Sequence, residues 1–510
     1  MTSEFKRHWI LFATILASSM AFISSTALNV ALPTIQRDLN ASGNELLWIV
    51  NAYLLFLAAL ILVGGSLGDH FGRKRVFGIG ISVFTGASLL CGLAPNPTFL
   101  IVARAVQGIG GALMVPGSLA IISALFDNEN KGVAIGTWSA FTTITSVLGP
   151  IIGGEFSELG LWRGIFFINI PLASLALWAL IRYVPENYDE DVAEQKLDFG
   201  GALLIMLALA GLTYGLIQAP SQGWTAPMIL FALIGGSIAL ATCVYWEHSS
   251  DHPMVPLRLF ENRTFSGTNA MTLFLYGALY GALLFLPLNL VQSQGYSSRL
   301  AGRAIVPSSL LLAVLSRFSG KLADRIGPRI PLTVGPIITG AGFVLFARQG
   351  ITNGFDDYWT TFFPPTVLFG LGMGITVAPL TTAVMSSVSQ QRSGVASGVN
   401  NAVSRTAGVL AVAIFGAIAL GVFSIDLEKR IAALDLPDEH EQAVLDEASE
   451  LGDAQVPEVV SEEQAPAVAR IIDKSFVKTF QVINYIAAGM AFTSALLAFL
   501  MIENKTTVKE

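Results

Sequence analysis

The chain has 510 residues, 53% of them hydrophobic and only 13% charged, with a mean hydropathy of +0.63. So small a charged share excludes a string of water-soluble domains, and 49 Gly and 22 Pro without a period exclude a collagen-like fibre. Cys91 and Cys243 are too few for a disulfide framework or a zinc cluster, and the net charge of −7 argues against a nucleic-acid partner.

Runs of about 18 or more apolar residues, long enough to cross a bilayer, number fourteen. Six come first, near 9–32, 46–67, 76–94, 98–120, 133–154 and 165–183. A pair follows near 199–217 and 226–246, and then six more near 266–290, 303–319, 331–347, 360–383, 395–421 and 480–502. The first run follows Lys6 and Arg7 and reads as an uncleaved span, because thirteen others come after it. Lys and Arg set the expected orientation. Arg73, Lys74, Arg75, Arg258, Arg263, Lys321, Arg325 and Arg329 fall on the side of Lys6, Arg7, Lys505 and Lys509. That side is expected to be cytoplasmic, with both termini inside.

Two segments repeat. Gly65-Ser-Leu-Gly-Asp69-His-Phe-Gly72-Arg73-Lys matches Gly320-Lys-Leu-Ala-Asp324-Arg-Ile-Gly327-Pro-Arg, and Gly132-Val-Ala-Ile-Gly136 matches Gly394-Val-Ala-Ser-Gly398. Eight spans separate each copy from its partner, so two six-helix lobes flank the central pair. The expected units are 1–185, a 186–264 linker holding the two extra spans, and 265–510, with an external acidic loop over 424–478. Parallel six-span repeats point to an all-α transporter with its site between the lobes near the midplane.

The ordered motifs resemble the major facilitator superfamily, in its fourteen-span drug:proton antiporter branch. Gly65-x-Leu67-x-Asp69-x-x-Gly72-Arg73-Lys74 is similar to the family's loop signature between spans 2 and 3. Arg104-x-x-Gln107-Gly108 in span 4 and Gly149-Pro150-x-x-Gly153-Gly154 in span 5 resemble two more. Trp162-Arg163, Phe166-Phe-Ile-Asn-Ile-Pro171 and Leu257-Arg-Leu-Phe260 are similar to features of the branch. The resemblance implies a multidrug-efflux permease of a bacterial inner membrane, exporting lipophilic or amphipathic small molecules by alternating access with proton coupling. No HExxH metal spacing, Walker loop or Ser/His/Asp set at membrane depth occurs in the sequence, so no enzymatic activity, metal or cofactor is expected.

Each motif also has a physical reading. Asp69 and Asp324 sit at span ends among bases, where a carboxylate can cap a facing helix N-terminus. By pseudo-symmetry Asp69 would face span 13 near Ser393, and Asp324 span 5 near Lys131, forming a conformational latch with Gly65, Gly72, Arg73, Gly320 and Gly327. The alternative is a turn that only fixes topology. Pro150 permits a bend after Gly149, and Gly153 and Gly154 allow close helix approach, for gating or for plain packing.

Span 1 departs from the branch. The position before Thr-x-x-Asn-x-Ala-Leu-Pro, an Asp in the branch, is Ser24 here, and a hydroxyl cannot shuttle protons near neutral pH or pair with a cationic drug. Two charges set well inside spans, Arg104 and Arg405, either bond backbone carbonyls or face a cavity and favour anionic or neutral cargo. Glu155 is the remaining proton candidate, or else an interfacial partner of Arg163. Ser25, Asn29, Asn51, Thr142, Ser146, Asn269, Tyr276, Tyr280, Asn400 and Asn401 are cavity candidates or interhelical hydrogen-bonders.

Residues 424–478 carry fourteen acids and five bases, so the net −9 there leaves the remainder at +2. This stretch is expected to cap the mouth, to bind a periplasmic partner, or to be a solvated hairpin. A monomer is expected. Proton-coupled export leads. A uniporter or exporter of anionic, lipid-like amphiphiles is the alternative, and a non-transporting sensor is a remote one.

Overall fold

The computed structural model describes residues 3–126, 128–186, 198–250, 253–388, 393–434 and 436–504; side chains at 3–6, 128–132, 140, 143, 324 and 393 lie outside that description. Among the described residues, fourteen helices are long and apolar enough to cross a membrane. The first six are α1 (Ser3–Leu39), α2 (Gly43–Phe71), α3 (Arg73–Gly92), α4 (Pro97–Leu125), α5 (Asn128–Glu158) and α6 (Gly164–Tyr183). The central pair is α7 (Phe199–Gln222) and α8 (Pro227–Ser249). The last six are α9 (Arg263–Leu288), α10 (Ser298–Ile326), α11 (Arg329–Ala347), α12 (Phe363–Ser386), α13 (Ser393–Ile431) and α14 (Ala465–Met501). The helices overrun the apolar runs at their ends, because a helix can continue past the bilayer into water with polar residues.

The sequence marks the helix boundaries. Ser42 and Glu45 form a reciprocal capping box at the start of α2. The side chains of Asn96, Asn262 and Ser297 accept the first free N–H groups of α4, α9 and α10. Gly72 and Gly327 end α2 and α10 at φ of 101° and 84°, a region that disfavours any residue with a Cβ.

Each set of six helices packs chiefly on itself: α2 and α3 on α4, and α1 on α5 and α6 in the first lobe; α9 on α13 and α14, and α12 on α10 and α11 in the second. The lobes meet along α5–α10, α2–α13 and α1–α9. The pair α7–α8 lies outside the α2–α13 seam, where α7 touches both helices and α8 packs chiefly on α7. Exposed apolar side chains such as Ile181, Phe231, Ile238 and Phe318 stud the outside, as expected where hydrocarbon replaces water.

α13 and α14, at 39 and 37 residues, are longer than a bilayer requires, and residues 432–434 and 436–464 fold between their ends into short helical turns, including a helix over Asp438–Asp446. Val444, Leu451 and Val460 of this cap are buried. The face carrying it is the cap side, and the opposite face, where α1 begins and α14 ends, is the terminal side.

Candidate functional site

The repeated turns form two matched corners. Asp69 is held by Arg73 of its own turn at 2.7 Å. The space beside Gly72 is filled by Glu186, just past α6, whose Oε1 also accepts from the Lys74 N–H at 3.1 Å. The carboxylate found capping α3 is therefore Glu186, for which the sequence held no distinctive signal. The second copy repeats the device: Asn504, just past α14, fills the space beside Gly327. Gly65 lies against Pro116 of α4 and Gly320 against Ala378 of α12, one more matched pair. The expected contacts of Asp324, Lys131 and Ser393 fall outside the described side chains.

On α5, Gly149 and Gly153 lie directly on Thr26 and Ala27 of α1, where a Cβ would overlap them. Gly154 faces the other lobe: a Cβ there would meet the Ser298 carbonyl at 2.7 Å. Gly302 of α10 lies as closely on the Pro150 carbonyl. The motif is thus a packing surface on both sides, and its second side is a lobe–lobe contact. Gly302 was not singled out by sequence because the partner surface lies in the other lobe.

Glu155 closes the same seam on the cap side. Its two oxygens take Arg299 Nε and Arg303 Nη2, each at 2.8 Å. The expected partner Arg163 is instead bound to Asp38 at 2.7 Å, stacks on Trp162 and donates to the Ala94 carbonyl. That expectation is corrected. Arg163 is fixed by the tight turn before α6, whereas Glu155 lies a turn inside α5 on the side facing α10.

Arg104 is fully buried, at 1% exposure, within the first lobe. Its Nε donates to the Ile49 carbonyl of α2 at 3.2 Å, its Nη1 to Gln107 Oε1 at 2.6 Å, and its guanidinium stacks over Tyr53. Gln107 continues to Ser88 at 2.7 Å, and Asn169 donates to both Ser88 and Ser24. Ser24 is the far end of this neutral chain and is itself buried. It does not open toward the lobe interface, while its half-buried neighbours Ser25 and Asn29 lie on another face of α1.

Arg405 differs. It is half-buried on α13 and donates to the Tyr280 hydroxyl of α9 at 3.0 Å. Tyr276 lies one turn away, with ring centroids 6.5 Å apart. Gly408 makes room for the Tyr280 ring, and Tyr53 of the first lobe lies within electrostatic reach of both Arg104 and Arg405. Tyr53 was missed because a lone Tyr in an apolar run carries no spacing signal. Beside this group, Asn400 donates to Asn269 and Thr272 across α13 and α9 at 3.1 and 2.9 Å.

The other polar candidates do not gather there. Thr142 and Ser146 bond carbonyls of their own helix, Asn401 does likewise, and Asn51 is buried with neither amide atom paired among the described residues. No set of three His, Cys, Asp or Glu side chains suited to a metal occurs among the described residues.

A family model described as Major Facilitator Superfamily matches residues 14–412. The chain belongs to that superfamily. It is 33% identical over 443 residues to the multidrug resistance protein Stp of Mycobacterium tuberculosis (strain CDC 1551 / Oshkosh), covering 86% of this chain and 80% of that protein. It is 29% identical over 499 residues to the tetracenomycin C resistance and export protein of Streptomyces glaucescens, covering 96% and 91%. In fold it is similar to a bacterial homologue of the human lysosomal transporter Spinster in an inward-facing, unoccupied conformation. The TM-score is 0.66 at 19% identity, covering 96% of this chain and 97% of that one. As a major facilitator protein, the chain is an integral membrane transporter with two six-helix lobes and two inserted helices.

Proposed function

We propose that the protein exports lipophilic or amphipathic small molecules, neutral or anionic rather than cationic, by alternating access between its lobes. Arg405 carries this reading. Its half-buried guanidinium has donors beyond the bond to Tyr280, with Tyr276 one turn away and Tyr53 of the first lobe within electrostatic reach. Such a site can pair a carboxylate or phenolate while ring faces take the apolar remainder. The names of the relatives, a multidrug resistance protein and a tetracenomycin C export protein, support export of drug-like cargo. The α5–α10 seam, shut on the cap side by Glu155, Gly154 and Gly302, would part for release there, with the termini in the cytoplasm of a bacterial inner membrane.

Proton antiport, which the resemblance implies, would run through Glu155, the described span carboxylate that pairs across the lobes. A specific observation favours the uncoupled reading. Ser24 ends a neutral, buried hydrogen-bond chain and offers no ionisable group.

Proteoliposomes loaded with matched anionic, neutral and cationic cargo, with and without a pH gradient, test both parts. Preferred movement of anionic and neutral cargo is expected. Cationic cargo moving fastest, with its rank unchanged by Arg405→Gln, would sink the proposal. A gradient response abolished by Glu155→Gln would establish antiport, and equal rates with and without the gradient would establish uniport.

A further inference from the structure

On the cap side, away from the lobe interface, the loop's bases gather. Three of the five bases in 424–478, namely Arg430, Lys474 and Lys478, line one cleft of about 300 Å³ together with Gln481 and Gly350, and among the described residues no carboxylate lines it. Asp426 pairs with Arg430 from the preceding turn of α13. Asp473, although adjacent in sequence to Lys474, lines a different cleft with Arg37 and Asp453. α14 thus sends its acid toward the cap and its bases outward.

The bases are also in register with the membrane. Arg470, Lys474 and Lys478 recur every fourth residue, are all exposed, and so form one stripe along α14. Continued down the helix, the same face presents Tyr485, Phe492, Leu496 and Phe499, all exposed. Gly489 lies on this face, with nothing within 4 Å of where its Cβ would be. A basic stripe therefore runs into a tyrosine at the boundary and then into an open apolar surface, in the order phosphate, interface and acyl chain.

We propose that this cleft binds the phosphate of an anionic phospholipid from the cap-side leaflet, with the lipid's acyl chain lying along the Gly489–Phe492–Leu496 face of α14. Lys474 and Lys478 supply the charge, and Gln481, whose Nε2 is engaged by the Gln349 carbonyl at 2.9 Å, keeps the cleft floor in place. The occupant ties the base of the acidic cap to the bilayer. The assignment does not depend on the cargo or on how transport is coupled.

Native mass spectrometry of the full-length protein, titrated with phosphatidylglycerol or phosphatidylcholine of matched chains, tests it. Phosphatidylglycerol should be retained in preference. Lys474→Gln and Lys478→Gln should each weaken it roughly fivefold, and the pair about 25-fold, the scale of a basic residue at an anionic membrane surface. Lys429→Gln, an exposed base of the same loop outside the cleft, should change it less than about twofold, and Lys478→Arg should keep the preference. Equal retention of the two lipids, or an equal loss in Lys429→Gln, overturns the site. Displacement of the lipid by millimolar glycerol phosphate would show a free-phosphate site and overturn the lipid assignment.

Discussion

Arg104 on α4 and Arg405 on α13 carry the same guanidinium into apolar helices, but their surroundings are built differently. Arg104 meets a backbone carbonyl, an amide oxygen and an aromatic face, all from its own lobe, and the hydrogen-bond chain beyond it runs through Gln107, Ser88 and Asn169 to Ser24. From α13, which packs on both α9 and, in the other lobe, α2, Arg405 makes its described hydrogen bond to one tyrosine hydroxyl. A saturated buried charge belongs to the scaffold, because any ligand would have to displace partners it already has. An under-used charge at a lobe interface is available to cargo. Residue type and helical setting do not distinguish the two; the partner count and the lobe of origin do.

Removing each arginine should separate these roles. Arg104→Ala leaves Gln107 Oε1 without its donor in the core, at roughly 1–3 kcal/mol, and opens a void over the Tyr53 ring and beside the Ile49 carbonyl. It should lower the thermal midpoint and the yield of folded protein, a large effect against marginal stability. Arg104→Lys should rescue little, since an ammonium cannot both fork to two acceptors and stack on Tyr53. A stable, monodisperse Arg104→Ala protein with altered cargo preference would break the comparison.

The seam between the lobes comes next in size. Gly302→Val puts branched carbon onto the Pro150 carbonyl, and overpacking of this kind costs about 1–3 kcal/mol. The penalty falls only on the state in which α5 and α10 touch. Spin-label distances across the cap side should therefore shift to longer values while the protein stays folded. Arg405→Gln should be milder still. The thermal midpoint should change little, and transport of anionic cargo should fall about tenfold relative to neutral cargo, the scale of one charge-assisted hydrogen bond. Uniform loss for all cargo would return Arg405 to the scaffold class with Arg104.

Much of this architecture was legible in the sequence. Membrane helices advertise themselves through run length, and the Gly72 and Gly327 corners show their shared ancestry in ten residues of text. The Arg104 chain was partly legible, since Arg104, Gln107 and Asn169 all lie in the motifs that carry the resemblance. The choice of partners was not. Glu155 takes Arg299 and Arg303 rather than Arg163, because docking of two lobes brings together residues some 145 positions apart. Ser24 sits in a polar stretch of α1 with Ser25 and Asn29, yet rotation of one position along the helix puts it in the core and its neighbours elsewhere. Helical phase relative to a partner lobe is a property of the packed bundle, and no local pattern encodes it.

The acidic cap offers the smallest and most specific effect. Arg37 of the first lobe binds Asp453 at 2.9 Å, and Gln36 donates to the Glu450 carbonyl at 3.1 Å, so the cap is fastened to α1 across the lobe boundary. Burial pushes both the Glu450 and Asp453 carboxyls above their usual range; Arg37 partly offsets this at Asp453, and Glu447 adds to it at Glu450. A carboxyl raised in the docked cap relative to the free one means that docking takes up protons. Its contribution is complete below the ordinary carboxylate value of about 4 and is lost as pH rises through the raised value. A spin-label distance between the exposed positions Glu439 and Leu161 should therefore be shorter and narrower at the acid end, broadening as pH increases. Glu450→Gln should flatten that dependence, whereas Arg37→Ala should loosen the cap at every pH. The opposite trend, a cap that tightens as pH rises, would mean that the Arg37–Asp453 ion pair outweighs burial. The cap would then join Arg104 as a saturated charge site.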